Sequence, residues 1–232
     1  MIEVKDFSSD PALTAQAASD IAVLLEKAIA LRGNARLVLT GGTLGIKILG
    51  DFKNLGLDLS NVDIFFGDER FVDLDHPDRN EHQGIVAWPE LSSAKLHRFP
   101  AADLPVEEAA NVFNSEIESL FGPLGETAPV FDVVILGMGP DGHVASLFPG
   151  HQQAQAWIIA EKASPKPPAE RLSFSCSALN RSRAVVFLAS GSAKAEVAKC
   201  AIQDEACDLP AAKVRGLELT RWYVDEEISR EL

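Results

Sequence analysis

The chain has 232 residues, 47% of them hydrophobic and 24% charged, the proportions of a folded protein large enough to bury its own core, which excludes disordered and fibrous classes. Its 21 Lys and Arg stand against 34 Asp and Glu, a formal net charge of −13, and the resulting field repels phosphate backbones and anionic lipid surfaces. No nucleic-acid or membrane partner is therefore expected, whereas a small anion can still be held where a few cations and backbone N–H donors converge.

Asp10 and Pro11 open a run in which Ile21, Leu24, Leu25, Ala28 and Ile29 recur at helical spacing and which stops at Gly33, predicting an amphipathic helix. Short apolar runs follow at 35–40, 62–67, 131–137, 156–160, 171–175, 184–189 and 219–224, bounded by Gly, Asp or Ser, and each reads as a strand. Helical patterns at 105–121 and 192–202 lie between them. Alternating strands and helices predict an α/β fold with a mostly parallel central sheet flanked by helices, and a run as apolar as FDVVILG suits a strand covered on both faces. The stretch KASPKPPAE at 162–170 is a stiff loop, since its prolines fit neither a helix interior nor a central strand. Too few residues follow it to form a partner domain, so residues 1–232 are expected to be one domain. Cys176, Cys200 and Cys207 are an odd number without zinc-ligand spacing and predict reduced, metal-free thiols in the cytoplasm. The N-terminus has no apolar targeting core, and no segment holds the roughly 18 apolar residues of a spanning helix.

In open α/β sheets, ligands bind beyond the carboxyl ends of the strands. After the run at 35–40 come Gly41, Gly42 and Thr43, where backbone can approach a ligand and a following helix offers unpaired N–H donors to an anion. After the run at 62–67 come Asp68, Glu69 and Arg70, which form either a solvated rim or part of a site. The Asp-rich segment beyond them has no metal-binding spacing, and His76, His82, His97 and His151 read as surface or capping residues.

The third junction spells G-x-G-x-x-G with Gly137, Gly139 and Gly142, but Pro149 and Gly150 stop any helix after about two turns, too short for a dinucleotide site. The glycines instead leave His143 projecting from a tight turn with Asp141 two residues before it. An imidazole beside a carboxylate that fixes its tautomer suits a general base at neutral pH. No nucleophile elbow or cysteine occupies these junctions, so water is the expected nucleophile.

With these residues in hand, the chain resembles the 6-phosphogluconolactonase family over nearly its whole length. FGDERFV, FDVVILGMGPDGHVASLFPGH, SPKPPAERLSFS, LASGSAKAEVAK, LPAAKVR and LTRWYVDEE are similar to family segments in the same order. Two places depart from the family pattern: its usual Ser-Gly-Gly-Ser-Thr-Pro loop reads here as Thr40 to Gly45, and Arg79 replaces the serine that usually precedes Asn80. The related glucosamine-6-phosphate deaminases carry an Asn-Glu-Pro segment with a catalytic carboxylate, where this chain has Leu147, Phe148 and Pro149.

The resemblance implies hydrolysis of 6-phospho-D-glucono-1,5-lactone to 6-phospho-D-gluconate without metal or cofactor. It implies a phosphate clamp of Lys194, Arg171 and the Gly41–Thr43 turn, with His143 as base and Asp141 behind it. Arg70 or backbone N–H groups of the Gly139–Gly142 turn are expected to stabilise the oxyanion, Asp68 to orient Arg70 or a sugar hydroxyl, and Asn80 to bind a hydroxyl. A transient contact with a glucose-6-phosphate dehydrogenase is left open. The alternatives are a glucosamine-6-phosphate deaminase and a non-catalytic sugar-phosphate sensor.

Overall fold

The computed structural model describes residues 2–125, 128–151 and 154–232. Its centre is a parallel sheet of seven strands: Ile2–Phe7 (β1), Ala35–Leu39 (β2), Val62–Phe66 (β3), Lys95–Leu96 (β5), Phe131–Gly137 (β6), Ser182–Ala189 (β9) and Leu219–Asp225 (β10). Their order across the sheet is β1-β10-β9-β6-β2-β3-β5. The most apolar runs, β3 and β6, are almost wholly buried, as strands covered on both faces must be. β1 lies at one edge, alternating exposed and half-buried residues. Its IEVKDF pattern mixes charge with every apolar residue, and the run was not read as a strand; its pairing with β10, more than two hundred residues away, supplies what local sequence does not.

A second, three-stranded antiparallel sheet, β4-β8-β7, joins Asp68–Arg70 (β4), Arg171–Phe174 (β8) and Ile158–Glu161 (β7). The register sets Arg70 directly opposite Arg171.

The long helix is Asp10–Arg32 (α1), with Ser9 as N-cap accepting from the Ala12 amide and Gly33 closing it at φ +81°. Gly42–Leu55 (α2), Asn80–Ala87 (α3), Val106–Phe121 (α4), Cys176–Leu179 (α5), Ala195–Gln203 (α6), Pro210–Lys213 (α7) and Glu226–Ser229 (α8) follow. The pattern at 192–202 resolves into a 3-10 turn at Ser192–Lys194 that feeds α6. No helix follows Gly142: residues 138–151 make turns and an isolated bridge between Val144 and Leu147, so the helix a dinucleotide site would need is missing there.

Phe65 of β3 anchors the core, with Phe131 and Phe174 edge-on to it and Phe121 tilted, at centroid distances of 5.4, 6.2 and 5.8 Å. His97, read as a surface or capping residue, instead lies flat on Phe65 at 4.3 Å, its Nε2 2.8 Å from Asp63. The expectation of reduced cysteines also fails for two of the three. Cys200 and Cys207 form a disulfide between the end of α6 and the loop before α7, because the turn between them brings their Cα atoms to 5.7 Å. Cys176 stands outside that bond, and burial pushes its thiol pKa up. Among the described residues, no helix is long and apolar enough to cross a membrane.

Replacing Phe65 by Ala removes the ring these aromatics share and is expected to lower stability by about 3–5 kcal/mol, measurable as a shift in the urea midpoint.

Candidate functional site

The chain steps from β2 to β3 on one side of the sheet, then returns through β6, β9 and β10 on the other, so a crevice opens at the carboxyl ends of β2, β6 and β9. A cleft of about 420 Å³ occupies it. Of the residues singled out from sequence, Gly41, Gly42, Thr43, Asp68, Arg70, Asn80, His143, Arg171 and Lys194 all line this cleft. Asp141 does not: it stands behind His143.

The turn after β6 is built to present one ring. Gly139 N–H donates to the His143 carbonyl at 2.9 Å, and Gly142, at φ +82°, donates to the Gly139 carbonyl at 3.0 Å. A Cβ on Gly139 would lie 2.1 Å from His143 Nδ1, so only glycine leaves room for the imidazole. His143 Nδ1 is 2.5 Å from Asp141 Oδ1, and the Phe148 ring packs 4.9 Å from the imidazole. Because the carboxylate only accepts, Nδ1 carries the proton, and in the neutral ring the lone pair is on Nε2. Burial opposes the charge on Asp141, but the hydrogen bonds and positive charge of His143 outweigh it and hold its pKa below the ordinary value.

The two groups read from sequence as oxyanion donors differ in how they are already bonded. The amides of Gly139, Gly142 and His143 are already bound within the turn, and Pro140 has none. Arg70 also lines the cleft, and its Nε is buried with no hydrogen-bond partner among the described residues. Arg70 also donates to the Asp78 carbonyl.

Four cations line the cleft: Arg70, Arg171, Lys194 and Lys166. Arg171 clasps the proline loop, donating from Nε to the Pro168 carbonyl at 2.8 Å and from Nη2 to the Lys166 carbonyl at 3.0 Å. It thereby holds the loop that carries Lys166. Burial, with the charge of Lys166, lowers the pKa of Lys194 against the opposing pull of Asp10 and Asp225. Facing these cations, α2 begins at Gly42 with no side-chain cap on its first amides, which leaves donors for an anion.

Asp68 accepts from Ser146 Oγ at 2.6 Å and from Asn80 Nδ2 at 3.4 Å; its described partners are thus Ser146 and Asn80 rather than Arg70. Asn80 Nδ2 also donates to the Asp68 carbonyl at 2.8 Å, while its Oδ1 is buried with no partner. Gly41 is glycine for this reason, since a Cβ there would stand 2.0 Å from that oxygen. Arg79, the departure from the family pattern, turns away from the cleft. Fully buried, it donates to the carbonyls of Val72, Phe99 and Pro100.

Sequence reasoning assigned no role here to Lys166, Ser146, Phe148 or Asp10, which also line the cleft. Lys166 sits inside the quoted proline motif and was readable there. Asp10 reads as a helix start, and nothing local shows that this start abuts Lys194.

The family of glucosamine-6-phosphate isomerases/6-phosphogluconolactonase matches residues 8–222. A 6-phosphogluconolactonase of Mycobacterium leprae (strain TN) is 36% identical over 99% of this chain and 98% of its own length. The crystal structure of 6-phosphogluconolactonase from Thermotoga maritima has a TM-score of 0.85 at 28% identity, covering 97% of this chain and 100% of its own. A monomeric glucosamine-6-phosphate deaminase, at 19% identity and a TM-score of 0.75, shares the fold alone.

Since its folded pKa is depressed, Asp141 contributes stability above the ordinary carboxylate pKa of about 4, and that contribution is lost as pH falls through the lowered value. In the His143→Ala variant the Asp141 carboxyl is expected to titrate higher than in the parent, a shift that carboxyl-carbon NMR reads directly.

Proposed function

Because this chain belongs to the family of glucosamine-6-phosphate isomerases and 6-phosphogluconolactonases and matches lactonases over nearly its whole length, we propose how its cleft hydrolyses 6-phospho-D-glucono-1,5-lactone to 6-phospho-D-gluconate. The activity is that of a 6-phosphogluconolactonase, a carboxylic ester hydrolase of the oxidative pentose phosphate pathway. One observation carries the assignment of roles: a carboxylate-oriented imidazole and four cations line a single cleft.

The phosphate dianion goes to Lys194, Lys166, Arg171 and the amides of Gly42 and Thr43, where side-chain charge and helix dipole act in one direction. His143 Nε2 takes a proton from water as its oxygen bonds to C1. Negative charge builds on the carbonyl oxygen, where the unpartnered Nε–H of Arg70 meets it. The tetrahedral centre collapses with cleavage of the bond from C1 to the ring oxygen, which receives the proton from His143, and the new carboxylic acid ionises. Asp141 holds the imidazole's tautomer and offsets its charge while protonated. Asn80 Oδ1, lacking a protein donor, accepts from a sugar hydroxyl, and Asp68 holds Asn80 in place. The chain serves as one domain in this reading, supported by one hydrophobic cluster that runs from α1 to β10.

The deaminase alternative is not favoured: Phe148 lies against His143 in the segment where a deaminase has its carboxylate. A cytoplasmic location goes with a substrate whose charge keeps it from crossing membranes, since the disulfide removes the support once drawn from the cysteines. Contact with a glucose-6-phosphate dehydrogenase belongs to the same reading, as the dehydrogenase would hand over a lactone that water also opens.

Replacing His143 by Ala is expected to cut lactone hydrolysis by about 10²- to 10⁴-fold, followed by proton release after subtracting the spontaneous rate; near-normal turnover removes His143 from the mechanism. For Lys194→Ala, KM should rise about 10- to 100-fold for the phosphorylated lactone and little for unphosphorylated gluconolactone. Equal effects on the two would dissolve the clamp. Saturable 6-phosphogluconate binding without turnover in the unaltered protein would point to the sensor.

A further inference from the structure

We propose that Glu69 is a positioning residue for Asn80, setting from behind the wall that this asparagine presents to the sugar. The proposal rests on the reading of the cleft as the lactone site.

Side chains alternate along β4, so Asp68 and Arg70 reach the cleft while Glu69 points to its rear. There it is 1% exposed, and its carboxylate collects three backbone amides: Arg70 at 2.8 Å and Asn80 at 2.6 Å on Oε1, and Glu81 at 2.9 Å on Oε2. The last two are first-turn donors of α3, whose own N-cap residue, Arg79, offers no side-chain acceptor. A carboxylate eleven residues upstream therefore caps the helix. Asn80 is the first residue of α3, and its side chain enters the cleft, holds Asp68 and leaves Oδ1 open. Its place depends on where the carboxylate pins its amide.

The charges facing Glu69 are identifiable. Arg79 Nε is 3.7 Å from Oε2, yet the rest of that guanidinium is committed to three carbonyls and to Glu81, 3.6 Å away. Arg98 draws on the other oxygen of Glu81 at 3.2 Å. The more distant Arg171 has Glu69 in its field. Burial outweighs the attraction of Arg79 and the three amides and pushes the pKa of Glu69 up to about 7. Such a carboxylate does more than a neutral cap could: charge strengthens each amide bond.

The test is Glu69→Gln, nearly isosteric and uncharged. KM for the phosphorylated lactone should rise about tenfold; because Glu69 also holds the amide of Arg70, kcat falls as well, but less than in Arg70→Ala. The double variant Glu69→Gln/Asn80→Ala should have a KM no higher than that of Asn80→Ala alone, since both changes act on KM through one side chain. A purely structural lesion lowers Tm but adds to Asn80→Ala. Glu69→Asp keeps a charge for Arg79 and guards against a failure to fold, while drawing the acceptor back from α3; it should raise KM in the same non-additive way. On the unaltered enzyme, amide NMR should show Asn80 and Glu81 shifting together with a midpoint near 7. Unchanged KM in a folded variant, additivity with Asn80→Ala, or amides that do not titrate together would each overturn the proposal. Absence of lactone hydrolysis by the unaltered enzyme would instead overturn the reading of the cleft.

Discussion

A hydrogen bond between two side chains two residues apart, Asp141 and His143, sets the terms for the rest of the molecule. It requires a turn too tight for a Cβ at Gly139 and a left-handed residue at Gly142. Gly142 must also be small for what lies outside it, since Leu209 stands 2.8 Å from where a Cβ would be. That turn spends the amides of Gly139, Gly142 and His143 on its own closure. Arg70, on a small sheet separate from the strand that carries the turn, keeps a buried Nε–H with no partner among the described residues.

The acidic balance of the chain and the anionic substrate are reconciled by how charge is spent. At about 8 Å of screening length in physiological salt, the summed −13 is felt as weak repulsion at long range. Within the cleft, half-buried cations and the start of α2 act at hydrogen-bond range, where local terms dominate. Burial disfavours the charged forms of half-buried Lys194 and buried Arg171. Asp10 and Asp68 limit that self-repulsion without neutralising the site.

What could be read from sequence follows the range of the interactions involved. The strands β2, β3, β6 and β9 are apolar enough to declare themselves, and the glycine turns at Gly41 and Gly139 mark where backbone must come close. His143 with Asp141 is a local pair and was legible as such. β1 was not, because its partner β10 lies at the other end of the chain. Nor was α3: residues 80–87 have little amphipathic pattern, and the helix is started by a carboxylate on another element. Arg79 illustrates the same limit from the other side. Nothing local shows that this charged residue is buried; three backbone carbonyls distributed from residue 72 to 100 give it that place. The cysteines were misread because two thiols seven residues apart pair only if a turn folds them together.

That disulfide has a position worth following through the fold. Lys194 stands at the start of α6 and Cys200 near its end. From Cys200 the covalent link runs to Cys207, two residues before Leu209, whose side chain fills the space beside Gly142. Ala211, at the next turn, donates to the Gly142 carbonyl at 3.1 Å. The segment from Lys194 to Ala211 therefore reaches from the cleft to the back of the turn that presents His143. His143 and Lys194, some fifty positions apart in sequence, thus line one cleft on elements braced through one another.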